Sequence, residues 1–213
     1  MTQDIDARTL VILSVLGEIE NQCGWGLMQM EVLRSRIPGL TRDITKEKWK
    51  KWERNRFELF GAIQAFLTCA GIVDSLVTGR GPPRPKGLVG VSDEERYQIR
   101  RELRIGEDFE VGGRPQRNSL VHIEERLVPW SRPGGLRGDF GVFRISTQNS
   151  TALSQTMRAF DRETFQFGVV GQVCSLRDIE LSLVKLLKKA TAAHNRILSE
   201  INEGANRLPG NKA

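Results

Sequence analysis

Apolar positions recur every three to four residues through most of the chain, and that period marks out helices. Over residues 4–22, Ile5, Leu10, Ile12, Val15, Leu16 and Ile19 form an apolar stripe with Glu18 and Glu20 on the far side. Glycine weakens a helix interior, so Cys23-Gly24-Trp25-Gly26 is expected to end or bend this first helix. A longer helix is expected from about Thr45 to Val77, its apolar face carried by Phe57, Phe60, Ile63, Leu67 and Ile72. From Leu59 to Val77 Asp74 is its only charge, the pattern of a helix buried at the centre of a bundle.

Punctuation then takes over. Gly79-Arg-Gly-Pro-Pro-Arg-Pro-Lys-Gly87 reads as a loop. Ser92, followed by Asp93, Glu94 and Glu95, reads as an N-cap with acids in the first turn of a helix through Tyr97, Ile99 and Leu103. Another core helix is expected from about Gly113 to Val128, ended by Pro129, Pro133 and the glycines at 134, 135 and 138. Between about 139 and 174 the period falls to two, with Phe140, Val142, Phe165, Phe167, Val169 and Val173. A small β-hairpin is expected there, with Asp161-Arg-Glu-Thr164 as its turn. Ser175, with Asp178 three residues on, caps a last helix to about Asn202. The expected fold is therefore mainly α. It is a bundle of four to five helices in one domain (1–203), with the hairpin inserted before the last helix and a disordered tail over 204–213.

Composition narrows the function. The 213 residues carry a formal charge of +6, and the cations are 23 Arg against 9 Lys. Guanidinium forks suit phosphates, so an anionic partner is favoured. Cys23, Cys69 and Cys174 are widely spaced and form no Cys-x-x-Cys pair. That spacing argues for a reducing compartment and against a zinc site or a disulfide framework. The early apolar run Leu10–Leu16 is too short to span a bilayer and lacks a basic leader. A cytoplasmic protein with no membrane segment, no metal and no cofactor is expected.

The candidate chemistry lies in Arg117-Asn118-Ser-Leu-Val-His122, which holds one of only two histidines. On a helical wheel Arg114, Asn118, His122 and Glu125 share one stripe, Leu120, Ile123 and Leu127 face the other way, and Arg117 lies to the side. Imidazole titrates near neutrality and can take a proton from a ribose 2′-hydroxyl. Arginine can neutralise charge building on phosphorus-bound oxygens, and asparagine can orient the histidine or donate to the phosphate. These groups suffice for metal-free cleavage of a phosphodiester. Arg114 and Glu125 stand beside them as weaker phosphate- or RNA-facing candidates.

The spacing of Arg117, Asn118 and His122 resembles the signature of the HEPN superfamily, in which a histidine follows an arginine after four to six residues and a polar residue often follows the arginine. The resemblance spans roughly residues 4–130 and 175–203. It implies a helical bundle, a homodimer that joins two Arg-His pairs in one cleft, and metal-independent endoribonuclease activity on RNA in a toxin or antiviral-defence setting, with an antitoxin or other regulatory partner. Toxin forms controlled through a tyrosine two places after the histidine would need Tyr at 124, where this chain has Glu124.

Other readings remain open at this stage. The module could bind nucleotide or RNA, or dimerise, without chemistry. An unrelated helical adaptor would carry the stripe as surface decoration, with His122 paired to Glu124 or Glu125 and Arg117 to Glu124. His194, in Ala-Ala-His-Asn-Arg, is expected on the surface. Lys46-Glu-Lys-Trp-Lys-Lys-Trp-Glu-Arg-Asn-Arg56 interleaves cations with Trp49 and Trp52. The two rings are expected to anchor packing, with base stacking as the alternative.

Overall fold

The computed structural model describes residues 6–40, 45–79, 90–121, 138–142, 156–169 and 172–206. The described chain is mainly helical: α1 (Ala7–Arg36), a single 3-10 turn (Ile37–Gly39), α2 (Trp49–Thr78), α3 (Asp93–Leu103), α4 (Arg114–Val121) and α5 (Leu176–Asn206). A small sheet is built from β1 (Gly138–Val142), β2 (Thr156–Asp161), β3 (Gln166–Val169) and β4 (Gln172–Ser175).

Gly24 and Gly26 do not end α1, which runs on for three further turns. A Cβ on Gly26 would stand 3.0 Å from Leu183 Cδ1 and 3.4 Å from Cys69 Cβ. The missing side chain lets α1 approach its neighbours, and that packing outweighs the roughly 1 kcal/mol that glycine costs in a helix interior. The helix stops instead at Pro38, which lies in the 3-10 turn.

The chain divides into two compact units, and the three long helices each contribute to both. The first takes the described parts of Met1–Gly24, Ile72–Glu110 and Val184–Ala213. Its core holds Leu16, Ile19, Val73, Ile99, Leu103 and Leu186. Around that core Arg8 pairs with Glu94 at 2.7 Å, Arg196 pairs with Glu102, and Lys189 Nζ donates to the Arg104 carbonyl at 2.7 Å. The second unit takes the described parts of Trp25–Gly71 and Val111–Leu183, with a core of Leu59, Ile63, Phe66, Phe160, Phe167 and Leu183.

Capping accounts for the sharp start of α3. Ser92 is in extended backbone, its Oγ accepts from Glu95 N at 3.2 Å, and Glu95 Oε2 accepts from Ser92 N at 2.6 Å. These two bonds close a capping box. Bonds from the Ser92 backbone and hydroxyl hold the Glu95 carboxyl below its ordinary range. A depressed carboxylate stabilises the fold above its unfolded pKa and loses that contribution as pH falls through the folded value. Ser92→Ala should therefore lower stability by about 1 kcal/mol at neutral pH. Thermal melts should show this difference shrinking on acidification, as Glu95 takes up a proton in both proteins.

The β-rich stretch is larger than a hairpin. The strands run in the order β1-β2-β3-β4, with β1 parallel to β2 and the other neighbours antiparallel. The hairpin expected around Asp161 is the β2–β3 pair, where Ala159 faces Gly168 and Asp161 faces Gln166. Buried Asp161 makes the turn: its Oδ1 accepts from Glu163 N at 2.8 Å and Thr164 N at 3.2 Å. Phe165 then takes a left-handed backbone, φ +57°, and packs edge-on against Phe160. β4 leads directly into α5, with Ser175 Oγ accepting from Asp178 N as the sequence predicts. α5 continues to Asn206, four residues beyond the expected end. The Gly79–Gly87 loop beyond its first residue, and the tail from 207, lie outside the described residues.

Among the described residues α2 is the one helix long and apolar enough to cross a membrane. Most of that apolar stretch is buried inside the fold, which explains its composition without a bilayer.

Candidate functional site

The approach to α4 is built from glycine. Gly112 and Gly113 have φ +88° and +73°, in the left-handed region that side chains rarely adopt. A Cβ on Gly113 would lie 2.6 Å from Ile179 Cδ1 and 2.9 Å from Leu67 Cδ2, so the backbone passes close to α5 and α2. The Gly113 carbonyl accepts the first helical bond, from Arg117 N at 3.0 Å. Pro115 suits the opening turn, where its missing N–H has no intrahelical partner to lose. The helix lies against β3 and β4, and Gln116 is buried at 5% exposure.

Arg117 is half-buried, and its side chain crosses the backbone of α2 at Gly71. A Cβ at position 71 would overlap Arg117 Cδ and would lie 2.8 Å from Nε and 3.3 Å from Cζ. The guanidinium therefore rests in a notch that exists because residue 71 has no side chain. Its Nε is shielded from solvent and has no hydrogen-bond partner among the described residues. A buried donor left unpaired costs on the order of 1–3 kcal/mol. Arg96 Nε is shielded in the same way, so what sets Arg117 apart is its seat over Gly71. Phosphate oxygens are acceptors that a guanidinium fork fits well.

Asn118, the next residue, is exposed, as its place on the polar stripe predicts. Arg114 opens α4. His122 directly follows Val121, the last described residue of the helix. His122, Glu125 and the apolar positions Ile123 and Leu127 lie outside the described residues. The structure thus places Arg117 inward and Asn118 outward on one helix. Sequence reasoning puts Arg117 beside the polar stripe but misses the notch beneath it. Its signal in the chain is Gly71, one of two glycines inside α2.

His194 lies part-covered at the surface, and its Nδ1 is 2.8 Å from Glu20 Oε2. One expectation is revised. Trp49 is not a buried anchor. It is 47% exposed and stacks on Trp52 with centroids 5.3 Å apart, because residues three apart on the first turn of α2 share a face.

Other reactive groups among the described residues form no second cluster of this kind. Cys23 and Cys69 are buried, and burial pushes the Cys174 thiol up to about 12, far from thiolate chemistry. No group of three or more His, Cys, Asp or Glu side chains among the described residues is placed to hold a metal ion. A hollow of about 280 Å³ is lined by Ala7, Arg8, Val11, Ser92, Glu94 and Glu95, none of them from the Arg117 motif.

No protein-family model matches the chain, and no curated protein and no solved structure is significantly similar to it. The functional reading therefore rests on the motif and its geometry.

Proposed function

We propose that the protein is a metal-independent endoribonuclease of the HEPN type, with Arg117, Asn118 and His122 as its catalytic residues. The observation that carries the reading is the Arg117 guanidinium, seated over Gly71 with a buried Nε that has no hydrogen-bond partner among the described residues, one residue before exposed Asn118 and five before His122 in the sequence.

In this reading RNA supplies its own nucleophile. His122 takes the proton from a ribose 2′-hydroxyl, and the 2′-oxygen attacks the adjacent phosphorus. Arg117 meets the charge that builds on the non-bridging oxygens, and Asn118 orients the imidazole or donates to the phosphate. The bond from phosphorus to the 5′-oxygen breaks. That oxygen receives a proton, leaving a 2′,3′-cyclic phosphate on one product and a 5′-hydroxyl on the other. One chain offers a base but no separate acid for the departing oxygen. A homodimer with an isologous contact places a second His122 at the same phosphate, and we propose that assembly too. Arg114 and Glu125 are the weaker candidates for contact with RNA. A toxin or antiviral-defence role, held in check by an antitoxin or other regulatory partner, fits such an activity.

The test is incubation of the purified protein with mixed RNA in EDTA, followed by analysis of the product ends. Cyclic phosphate ends and free 5′-hydroxyls are expected, and one deoxyribose at a cut position should protect that position. Comparable cutting of DNA, activity lost to chelation, or a monomer at micromolar concentration in light scattering would overturn the mechanism.

A further inference from the structure

The first two turns of α2 carry an aromatic–cationic cluster that the proposed chemistry does not use. Trp49 and Trp52 stack with their planes 22° apart. Arg56 lies 5.2 Å from the Trp52 ring and 5.1 Å from the Phe57 ring, and Phe57 is 54% exposed. Between Lys46 and Glu58 there are six cations (Lys46, Lys48, Lys50, Lys51, Arg54 and Arg56) against Glu47, Glu53 and Glu58. Glu58 is already neutralised by Arg36 at 2.5 Å.

An open face leads away from this cluster along α2. Lys50, Arg54, Phe57, Gly61, Gln64 and Thr68 are all exposed and recur every three or four residues, so they form one continuous stripe. Gly71, under Arg117, comes next at the same spacing. No acidic residue occurs between Glu58 and Asp74, and Asp74 is buried. From Trp52 to Gly71 the helix rises about 28 Å.

We infer that this face of α2 binds single-stranded nucleic acid, with bases stacked on Trp49, which Trp52 backs, and on Phe57, and phosphates held by Lys50 and Arg54. The exposed rings of Trp49 and Phe57, with Trp52 stacked behind Trp49, stand beside an excess of cations and meet both demands of a flexible polyanion that carries planar bases. An acidic peptide would use the cations and leave the rings idle. A duplex would hide its base faces from them. The surface stands on the exposed face of α2 alone. Its use as a lead that delivers the strand to Arg117 rests on the ribonuclease reading.

The experiment is fluorescence anisotropy with a labelled 2′-O-methyl uridine oligomer, which cannot be cut by 2′-oxygen attack, and with an abasic phosphodiester oligomer of the same length. The intact protein should bind the base-containing strand at least tenfold more tightly. In the Trp49→Ala/Trp52→Ala variant that preference should collapse, with a loss of roughly tenfold or more per stacked base. Lys50→Glu/Arg54→Glu replaces two exposed side chains, so it should keep the parent melting temperature, weaken binding of both oligomers and flatten the salt dependence. Equal binding of the two oligomers by the intact protein, tighter binding of a duplex, or unchanged affinity in both variants would overturn the inference. His122→Ala should still bind the uncuttable strand, so loss of cleavage and loss of this surface are read separately.

Discussion

Cleavage of RNA should fall at least a hundredfold in Arg117→Ala and to background in His122→Ala, while both proteins stay folded. His122 supplies the one group in the motif that can exchange a proton near neutral pH. By the helical wheel it lies off the face that carries Leu120, Ile123 and Leu127, so alanine there removes chemistry and little packing. Arg117 is a finer case. In the proposed mechanism its removal deletes the stabilisation of charge on the phosphorus-bound oxygens, a loss of order a hundredfold or more in comparable sites. It also deletes aliphatic contact over Gly71 together with a buried donor that has no partner among the described residues, two changes of opposite sign for stability. Melting temperatures near that of the parent are therefore expected from both variants. Arg117→Lys should stay impaired, because an ammonium cannot reproduce the two-pronged grip of a guanidinium. His194→Ala should cut RNA like the parent, since His194 sits against Glu20 on the other compact unit. Parent-like cleavage by His122→Ala would remove the assignment.

Gly71→Ala should separate positioning from stability. Position 71 lies in the interior of α2, and its backbone accepts any side chain, so alanine should strengthen the helix by up to about 1 kcal/mol. The new methyl group, however, would occupy the space now held by Arg117 Cδ and press on Nε at 2.8 Å. The flexible arginine must swing out of the notch. The expected result is a melting temperature equal to or above that of the parent, with cleavage reduced toward the level of Arg117→Ala. Thermal melts and rates measured on the same samples decide it. A Gly71→Ala protein that cuts at the parent rate would show that the seat over α2 is not where Arg117 works.

Much of the fold follows from local rules and was legible in the chain. α2 appears where apolar residues keep a helical period without charge. α3 begins at Ser92 because its hydroxyl and the Glu95 carboxylate satisfy free backbone N–H groups, and α5 begins behind Ser175 with the same kind of cap. The turn at Asp161 follows from a carboxylate that bonds the backbone two and three residues ahead. Each of these depends on atoms a few residues apart, so sequence alone carries the information.

The departures all involve partners distant in sequence. Glycine at 24 and 26 signals a break by local preference, but Leu183 and Cys69 lie close enough to make Gly26 a packing residue instead. The parallel pairing of β1 with β2 joins strands whose register no short-range pattern encodes. His194 has Glu20 as a partner 174 residues away. Whether Trp49 packs or stands open depends on what covers the first turn of α2, and nothing in the run of lysines states that. The motif itself shows the same division. Residue types and spacing specify which groups can act on a phosphodiester. Only the approach of α4 to α2 decides that Arg117 turns inward over Gly71, because that seat is made by the absence of a side chain 46 positions earlier.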